Sequence, residues 1–149
     1  MEAERDPEAS PYITVQPRER HEAAMASEEE ELLVFELAGR PVGYARLSGR
    51  LARRHGNVEI QTLVITERGR GLGTRAIELI LEREFGRLGR HRVWLDAIGT
   101  NERALHTYEK LGFAREGAMR EAWRLPDGSY DSIVLLSILD REWAELSGP

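Results

Sequence analysis

The sequence predicts an α/β (α+β) domain: a mixed, mostly antiparallel sheet flanked by helices. Three observations lead there. Residues 58–65, an apolar-faced helix from Leu72 and residues 93–98 follow one another as strand, helix and strand, which implies a parallel pair. Residues 32–37 and 42–47 flank Ala38-Gly39-Arg40-Pro41, so they read as a hairpin. Residues 118–125 and 130–139 flank Pro126-Asp127-Gly128-Ser129, whose residue types favour a turn, and form a second hairpin. A chain of 149 residues suits one domain with its own core. Residues 1–11, with Pro7, Ser10 and Pro11 and no periodicity, read as a flexible tail, and residues 12–149 as the domain.

In chain order, residues 12–15 are apolar enough for a short strand. Residues 17–31 are charged, carry Ala23, Ala24 and Met25, and read as a helix whose glutamate run at 28–31 is a solvated end. After the first hairpin, residues 48–57 form a loop rich in Gly and Arg. A solvated loop outweighs an anion or nucleic-acid contact there, because no aromatics are interleaved. Alternation along 58–65 puts Glu59, Gln61, Leu63 and Ile65 on one face and Val58, Ile60, Thr62 and Val64 on the other. The helix from Leu72 carries Ala76, Ile77, Ile80, Leu81 and Leu88 at helical spacing and stops at Gly89. Residues 93–98 read as a buried strand. Asn101 is an N-cap for a helix with an apolar stripe of Ala104, Leu105, Tyr108 and Leu111, ended by Gly112-Phe113. His106 falls off that stripe and reads as a surface residue. Asp140 is placed to cap a short last helix carrying Trp143.

Composition narrows the functional classes. There is no cysteine, which removes disulfides, thiolate metal sites and a cysteine nucleophile. The formal net charge of -5 leaves no basic excess for nonspecific nucleic-acid binding and is compatible with a cationic substrate. No apolar run approaches the roughly 20 residues of a membrane span, and the acidic start Met1-Glu2-Ala3-Glu4 shows no secretory signal. The expectation is a cytoplasmic protein.

The chemistry centres on Thr66-Glu67-Arg68-Gly69-Arg70-Gly71-Leu72-Gly73-Thr74, where a strand runs through a glycine-rich turn into a helix. Glycine lets a ligand approach the backbone without a Cβ in the way. The first helical turn offers unpaired N–H groups and partial positive charge, a setting for phosphate or pyrophosphate. The nucleotide-hydrolase phosphate loop needs a lysine after its last glycine, and the only lysine is Lys110. The dinucleotide fingerprint G-x-G-x-x-G has Thr74 at its third glycine position. Taken alone, the turn serves tight strand–helix packing as well as it serves ligand binding.

Two motifs in order carry a resemblance. Arg68-x-x-Gly71-x-Gly73 resembles the acetyl-CoA signature [Q/R]-x-x-G-x-[G/A] of the GNAT superfamily of N-acetyltransferases. Asn101-x-x-Ala104-x-x-x-Tyr108-x-x-x-Gly112-Phe113 resembles that superfamily's second motif. The stretch from Gly117 through Pro126-Asp127-Gly128 to Tyr130-Asp131 is similar to the branch that acetylates ribosomal-protein N-termini and polyamines. The resemblance implies a central parallel strand pair that splays apart to take the pantetheine arm. It also implies an opening strand and two helices, for which this chain has little room, so the N-terminal strand and helix read as reduced or missing.

The roles it implies fall on particular residues. Main-chain groups of Leu63, Val64 and Ile65 would pair with pantetheine. Arg68, Gly69, Arg70, Gly71, Leu72, Gly73 and Thr74 would hold the pyrophosphate, and Asn101 would also contact the cofactor. Tyr108 matches the tyrosine that protonates the departing thiolate, which a phenol with pKa near 10 can do at neutral pH. Glu59 stands where several relatives carry a carboxylate base. Glu121, Trp123, Tyr130 and Asp131 are candidates for the acceptor wall. The expected partners are acetyl-CoA and a primary amine (a protein N-terminus, a polyamine or an amino sugar), with no metal, nucleic acid or membrane, and a possible homodimer. The alternative is a catalytically inactive domain that binds acetyl-CoA as a regulatory module.

Overall fold

The computed structural model describes residues 17–49 and 55–148. Among the described residues six strands form one sheet: β1 (Glu31–Leu37), β2 (Arg40–Ser48), β3 (Asn57–Ile65), β4 (Arg92–Ile98), β5 (Ala114–Arg124) and β6 (Tyr130–Leu139), in the spatial order β1-β2-β3-β4-β6-β5. Helices α1 (Arg18–Ala26), α2 (Leu72–Leu81), α3 (Glu102–Lys110) and α4 (Asp140–Ser147) flank it. Of these six, only β3 and β4 run parallel; the other neighbours are antiparallel. This is the mixed sheet with a central parallel pair that the sequence predicts. The strand expected at residues 12–15 lies outside the described residues.

The local rules act as read at several places. The first hairpin turns on Ala38 and Gly39, with φ 50° and 76°, while Leu37 faces Arg40. Two residues at positive φ make the turn whose twist suits a hairpin, so Arg40 and Pro41 belong to β2 rather than to the turn. The Asn101 side chain accepts from Ala104 N–H at 3.3 Å, the N-cap of α3. At the other end Gly112 takes φ 92°, and Phe113 N–H donates to Tyr108 C=O at 3.0 Å, closing the helix.

Elsewhere the structure corrects the reading. The helix expected over residues 17–31 ends at Ala26. The Ser27 hydroxyl accepts from the N–H groups of Glu29 and Glu30, a local bond that competes with helical pairing. The glutamate run is therefore no helix end. Glu30 pairs with Arg20, and Glu31 enters β1 and pairs with Arg83 at 2.6 Å. The second hairpin starts four residues earlier than expected, at Ala114. In α4 the cap comes from Glu142, which accepts from Leu139 N–H at 2.9 Å, and Asp140 is already helical.

Helix α2 continues as a π-helical segment, Glu82–Arg87, before Gly89 turns the chain at φ 62°. Leu88 N–H reaches back five residues to Arg83 C=O at 3.0 Å. The wider turn rotates the face: Phe85 is buried and Leu88, expected on the apolar stripe, is 48% exposed. Glu84 is buried with Arg83 and Arg90 around its carboxylate, which satisfies a charge that could not be buried unpaired.

The core lies between the sheet and α2, α3 and α4. It joins Leu47, Val58, Ile60, Ile77, Ile80, Val93, Leu95, Leu136 and Ile138. The Phe85 and Trp143 rings, 5.6 Å apart, place α4 against the π-helical segment. His21 meets Tyr44 edge-on at 5.8 Å and docks α1 against β2. Val58 and Ile60 are buried in this core, but the expected alternation breaks after them: the extra residue Gln61 shifts the pattern, so Leu63 packs against the core and Val64 is buried on the other face.

Candidate active site

The site begins where β3 and β4 part. They pair only at Asn57↔Arg92, Val58↔Val93 and Glu59↔Trp94. Beyond that point β3 stays bound to β2 as far as Ile65, and β4 to β6 as far as Ile98, but not to each other. A bulge marks the divergence. Arg46 faces Thr62 and Leu47 faces Ile60, so Gln61 is an extra residue in β3, and a bulge bends the strand that carries it. The inner edges of both strands then present main-chain N–H and C=O groups with no ladder partner, the arrangement into which an extended ligand fits as an added strand.

A cleft of about 690 Å3 opens along this gap. Its walls include Leu63 and Ile65 of β3, Leu95 to Ile98 of β4, the turn from Glu67 to Gly69, the start of α2 from Gly71 to Thr74, and Asn101, Ala104 and Tyr108 of α3. Gly69 and Gly71 have φ 74° and 69°, a conformation that favours glycine. A Cβ built at Gly69, Gly71 or Gly73 meets nothing within 4 Å. Packing therefore does not explain the three glycines; the space beside them is open. The open N-terminus of α2, with Gly71 as N-cap and no side chain capping it, supplies donors toward that space. The residues present thus fit a diphosphate joined to an extended arm.

Of the residues assigned to the cofactor, Leu63, Ile65, Arg68, Gly69, Gly71, Leu72, Gly73, Thr74 and Asn101 line the cleft. Val64 does not: its side chain is 3% exposed on the opposite face. Arg70 does not line the cleft either; it pairs at 2.8 Å with Glu67, which does. Of the acceptor-wall candidates Trp123 alone lines the cleft. Asp131 holds the wall together, accepting from Thr100 N–H at 2.8 Å and Ser132 N–H at 2.7 Å, and these bonds keep its carboxyl below the usual carboxylate range. Tyr130 is exposed, and so is Glu121, which has φ 52°. Glu121 lies where Met119↔Ile133 gives way to Trp123↔Asp131, an irregularity in β5 beside the cleft. His106 is exposed, as expected.

Tyr108 is half-buried against Phe113, ring centroids 6.0 Å apart, and faces the cleft. Among the described residues no hydrogen bond reaches its hydroxyl. Burial, and then the charge of Asp96, push the phenol up to about 12. Glu59 is not in the cleft wall. Its carboxylate accepts from Ser48 Oγ at 2.8 Å and from Gln61 Nε2 at 3.4 Å. Gln61 in turn accepts from Arg46 Nε at 3.1 Å, and Thr62 Oγ1 takes Arg46 Nη2 at 3.3 Å. Arg46 is 8% exposed and lines the cleft.

Asp96 is a wall residue the sequence reading missed. Its only signal was a lone acid inside an apolar strand, Val93-Trp94-Leu95-Asp96-Ala97-Ile98. The side chain opens on solvent through the cleft, yet desolvation by the surrounding protein, and then the charge of Glu59, hold its carboxyl above the ordinary range. Among the described residues no cluster of three or more His, Asp and Glu side chains is placed to hold a metal, and no helix is long and apolar enough to cross a membrane.

Comparison with known proteins agrees with this geometry. A family model described as "Acetyltransferase (GNAT) family" matches residues 1–113. Spermidine N(1)-acetyltransferase of Escherichia coli K12 is 29% identical over 117 residues, which cover 78% of this chain and 62% of that enzyme. Aminoglycoside N(6')-acetyltransferase type 1 of Klebsiella pneumoniae is 27% identical over 132 residues, 81% of this chain and 64% of that enzyme. The chain thus spans less than two thirds of the length of these curated relatives. The structure of the spermidine/spermine N-acetyltransferase SpeG from Vibrio cholerae superposes with a TM-score of 0.76 at 26% identity, covering 87% of this chain and 76% of that one.

Proposed function

The chain belongs to the GNAT acetyltransferase family, and from that premise we propose that it transfers the acetyl group of acetyl-CoA to a primary amine. The observation that carries the proposal is the coincidence of three features in one cleft: splayed strand edges, a glycine turn open to a diphosphate, and a phenol with a free proton. Amides of the 69–74 turn would hold the diphosphate, with Arg68 beside them, and the edge of β3 at Leu63 and Ile65 would pair with the pantetheine arm. Acetyl-CoA supplies an activated thioester when bound. A main-chain N–H on the splayed edge would stabilise the charge that develops on its carbonyl oxygen.

Tyr108 holds a proton for the departing sulfur. With its phenol pushed up to about 12, it stays protonated through the whole physiological range. The opposite requirement is a neutral amine, since an ammonium has no lone pair. Asp96 gives the cleft wall a carboxylate, which attracts a cationic acceptor. The relatives point to a polyamine, as for the spermidine enzymes, or an amino sugar, as for the aminoglycoside enzyme; a peptide N-terminus is the acceptor that the sequence resemblance adds.

The test is a thermal-shift comparison of acetyl-CoA, NAD and ATP, followed by thiol release from acetyl-CoA with spermidine, kanamycin and a short peptide bearing a free N-terminus. Stabilisation by acetyl-CoA alone, with thiol release for one amine, is the expected result. Binding with no turnover for any amine would leave an inactive acetyl-CoA-binding module. Stabilisation by NAD or ATP but not acetyl-CoA would refute the cofactor assignment.

A further inference from the structure

We propose that Asp96 is the carboxylate that receives the acceptor's ammonium in the mouth of the splayed strands and removes its proton, with Glu59 acting through it as a positioning residue. The inference rests on the transferase reading and specifies its acceptor side.

The placement follows from the ladder. Glu59 and Trp94 are the last residues paired between β3 and β4, and side chains at paired positions share a face of the sheet. Asp96 stands two residues beyond Trp94, so it shares that face. It is the first acid past the point of divergence, and it lines the cleft where Glu59 does not. Glu59 is already engaged by Ser48 and Gln61, whereas among the described residues Asp96 has no hydrogen bond or ion pair. An acid with no internal partner, facing a cleft, is open to an external cation. Asp96 and Tyr108 both line this cleft, so the proton acceptor and the proton donor border one reaction space.

The groups facing Asp96 define its behaviour. From β3 comes Glu59, from α3 Tyr108, and from β6 the apolar Leu135 opposite it in the ladder. Arg46 of β2 lines the same cleft but is held by Gln61 and Thr62. Desolvation and the Glu59 charge both raise the basicity of Asp96, as a base that deprotonates an ammonium requires.

The protons balance. The acceptor ammonium gives one proton to Asp96. The freed nitrogen lone pair forms the C–N bond while the C–S bond breaks, and the thiolate takes the Tyr108 proton. The nitrogen loses its surplus proton, through solvent, to the tyrosinate. Asp96 releases its proton to solvent, so one proton is produced per acetyl transferred.

The experiment compares Asp96→Asn, Asp96→Glu and Glu59→Gln with the unsubstituted chain, using whichever of spermidine, kanamycin and the peptide that chain acetylates fastest. Asp96→Asn is expected to lower kcat/KM by about 100-fold or more while calorimetry shows acetyl-CoA affinity within about threefold, and Asp96→Glu to recover part of the loss. Glu59→Gln is expected to lower kcat/KM less than Asp96→Asn does and to shift the acid limb of the pH profile to lower pH, because removing that negative charge makes Asp96 easier to ionise. The assignment is overturned if Asp96→Asn keeps its turnover, if it loses acetyl-CoA binding in parallel, or if Glu59→Gln abolishes turnover at every pH while Asp96→Asn does not. If the unsubstituted chain acetylates none of the amines, the transferase reading falls, and this assignment with it.

Discussion

Replacing Tyr108 by Phe separates a catalytic phenol from a core residue. The ring packs on Phe113 and on the stripe of α3, and Phe keeps all of that surface. The hydroxyl is bonded to nothing among the described residues, so its removal breaks no internal hydrogen bond and relieves some desolvation. The melting temperature should therefore stay within about 2 °C, which for a domain of this size is under roughly 1 kcal/mol. Turnover should behave differently. A positioned general acid contributes about 100- to 10,000-fold, or roughly 3–5 kcal/mol of barrier, so kcat should fall by at least about 100-fold. Affinity for acetyl-CoA should change by less than about threefold, because the hydroxyl is needed at the departing sulfur and not for grip. The assay is thiol release under saturating acetyl-CoA, with calorimetry for affinity and a thermal melt. A fall in kcat below threefold, or a loss of several degrees in melting temperature, would refute the reasoning. Alkaline pH gives an independent check. The phenol is raised above its unfolded value, so the stability it contributes is present below pH 10 and lost as pH climbs toward about 12. Tyr108→Phe should flatten that part of the stability profile.

Three further outcomes are expected. Gly71→Ala places a Cβ at φ 69°, which should cost about 1 kcal/mol in the free protein, and it also intrudes on the open side of the turn, so acetyl-CoA affinity should fall by about tenfold or more in calorimetry. Ile138→Ala empties a fully buried site between the sheet and its helices and should destabilise by about 2–5 kcal/mol, read by urea unfolding. Glu116 is held below the usual carboxylate range by Arg92 first and then Ser137. Its contribution is present above its unfolded pKa and lost as pH falls through the lower folded one, so Glu116→Gln should make acid unfolding less steep.

What could be read from the sequence is what neighbours in the chain decide. Asn101 caps α3 and Gly112 ends it because those groups satisfy helix termini within a few residues. The strand–helix–strand order required a parallel pair, and the glycine turn marked the helix start that would meet a diphosphate. Pattern also misled where a local competitor acted. Ser27 ended α1 through its own hydroxyl, and the π-helical turn carried Leu88 out of the apolar face. Only the tertiary structure decided where β3 and β4 separate, because that depends on a bulge at Gln61 and on β6 claiming the far edge of β4. The point of separation then chose which side chains face the gap. It left Glu59 bonded to Ser48 outside the cleft and set Asp96 in its wall, a distinction between two strand carboxylates that alternation along either strand could not express.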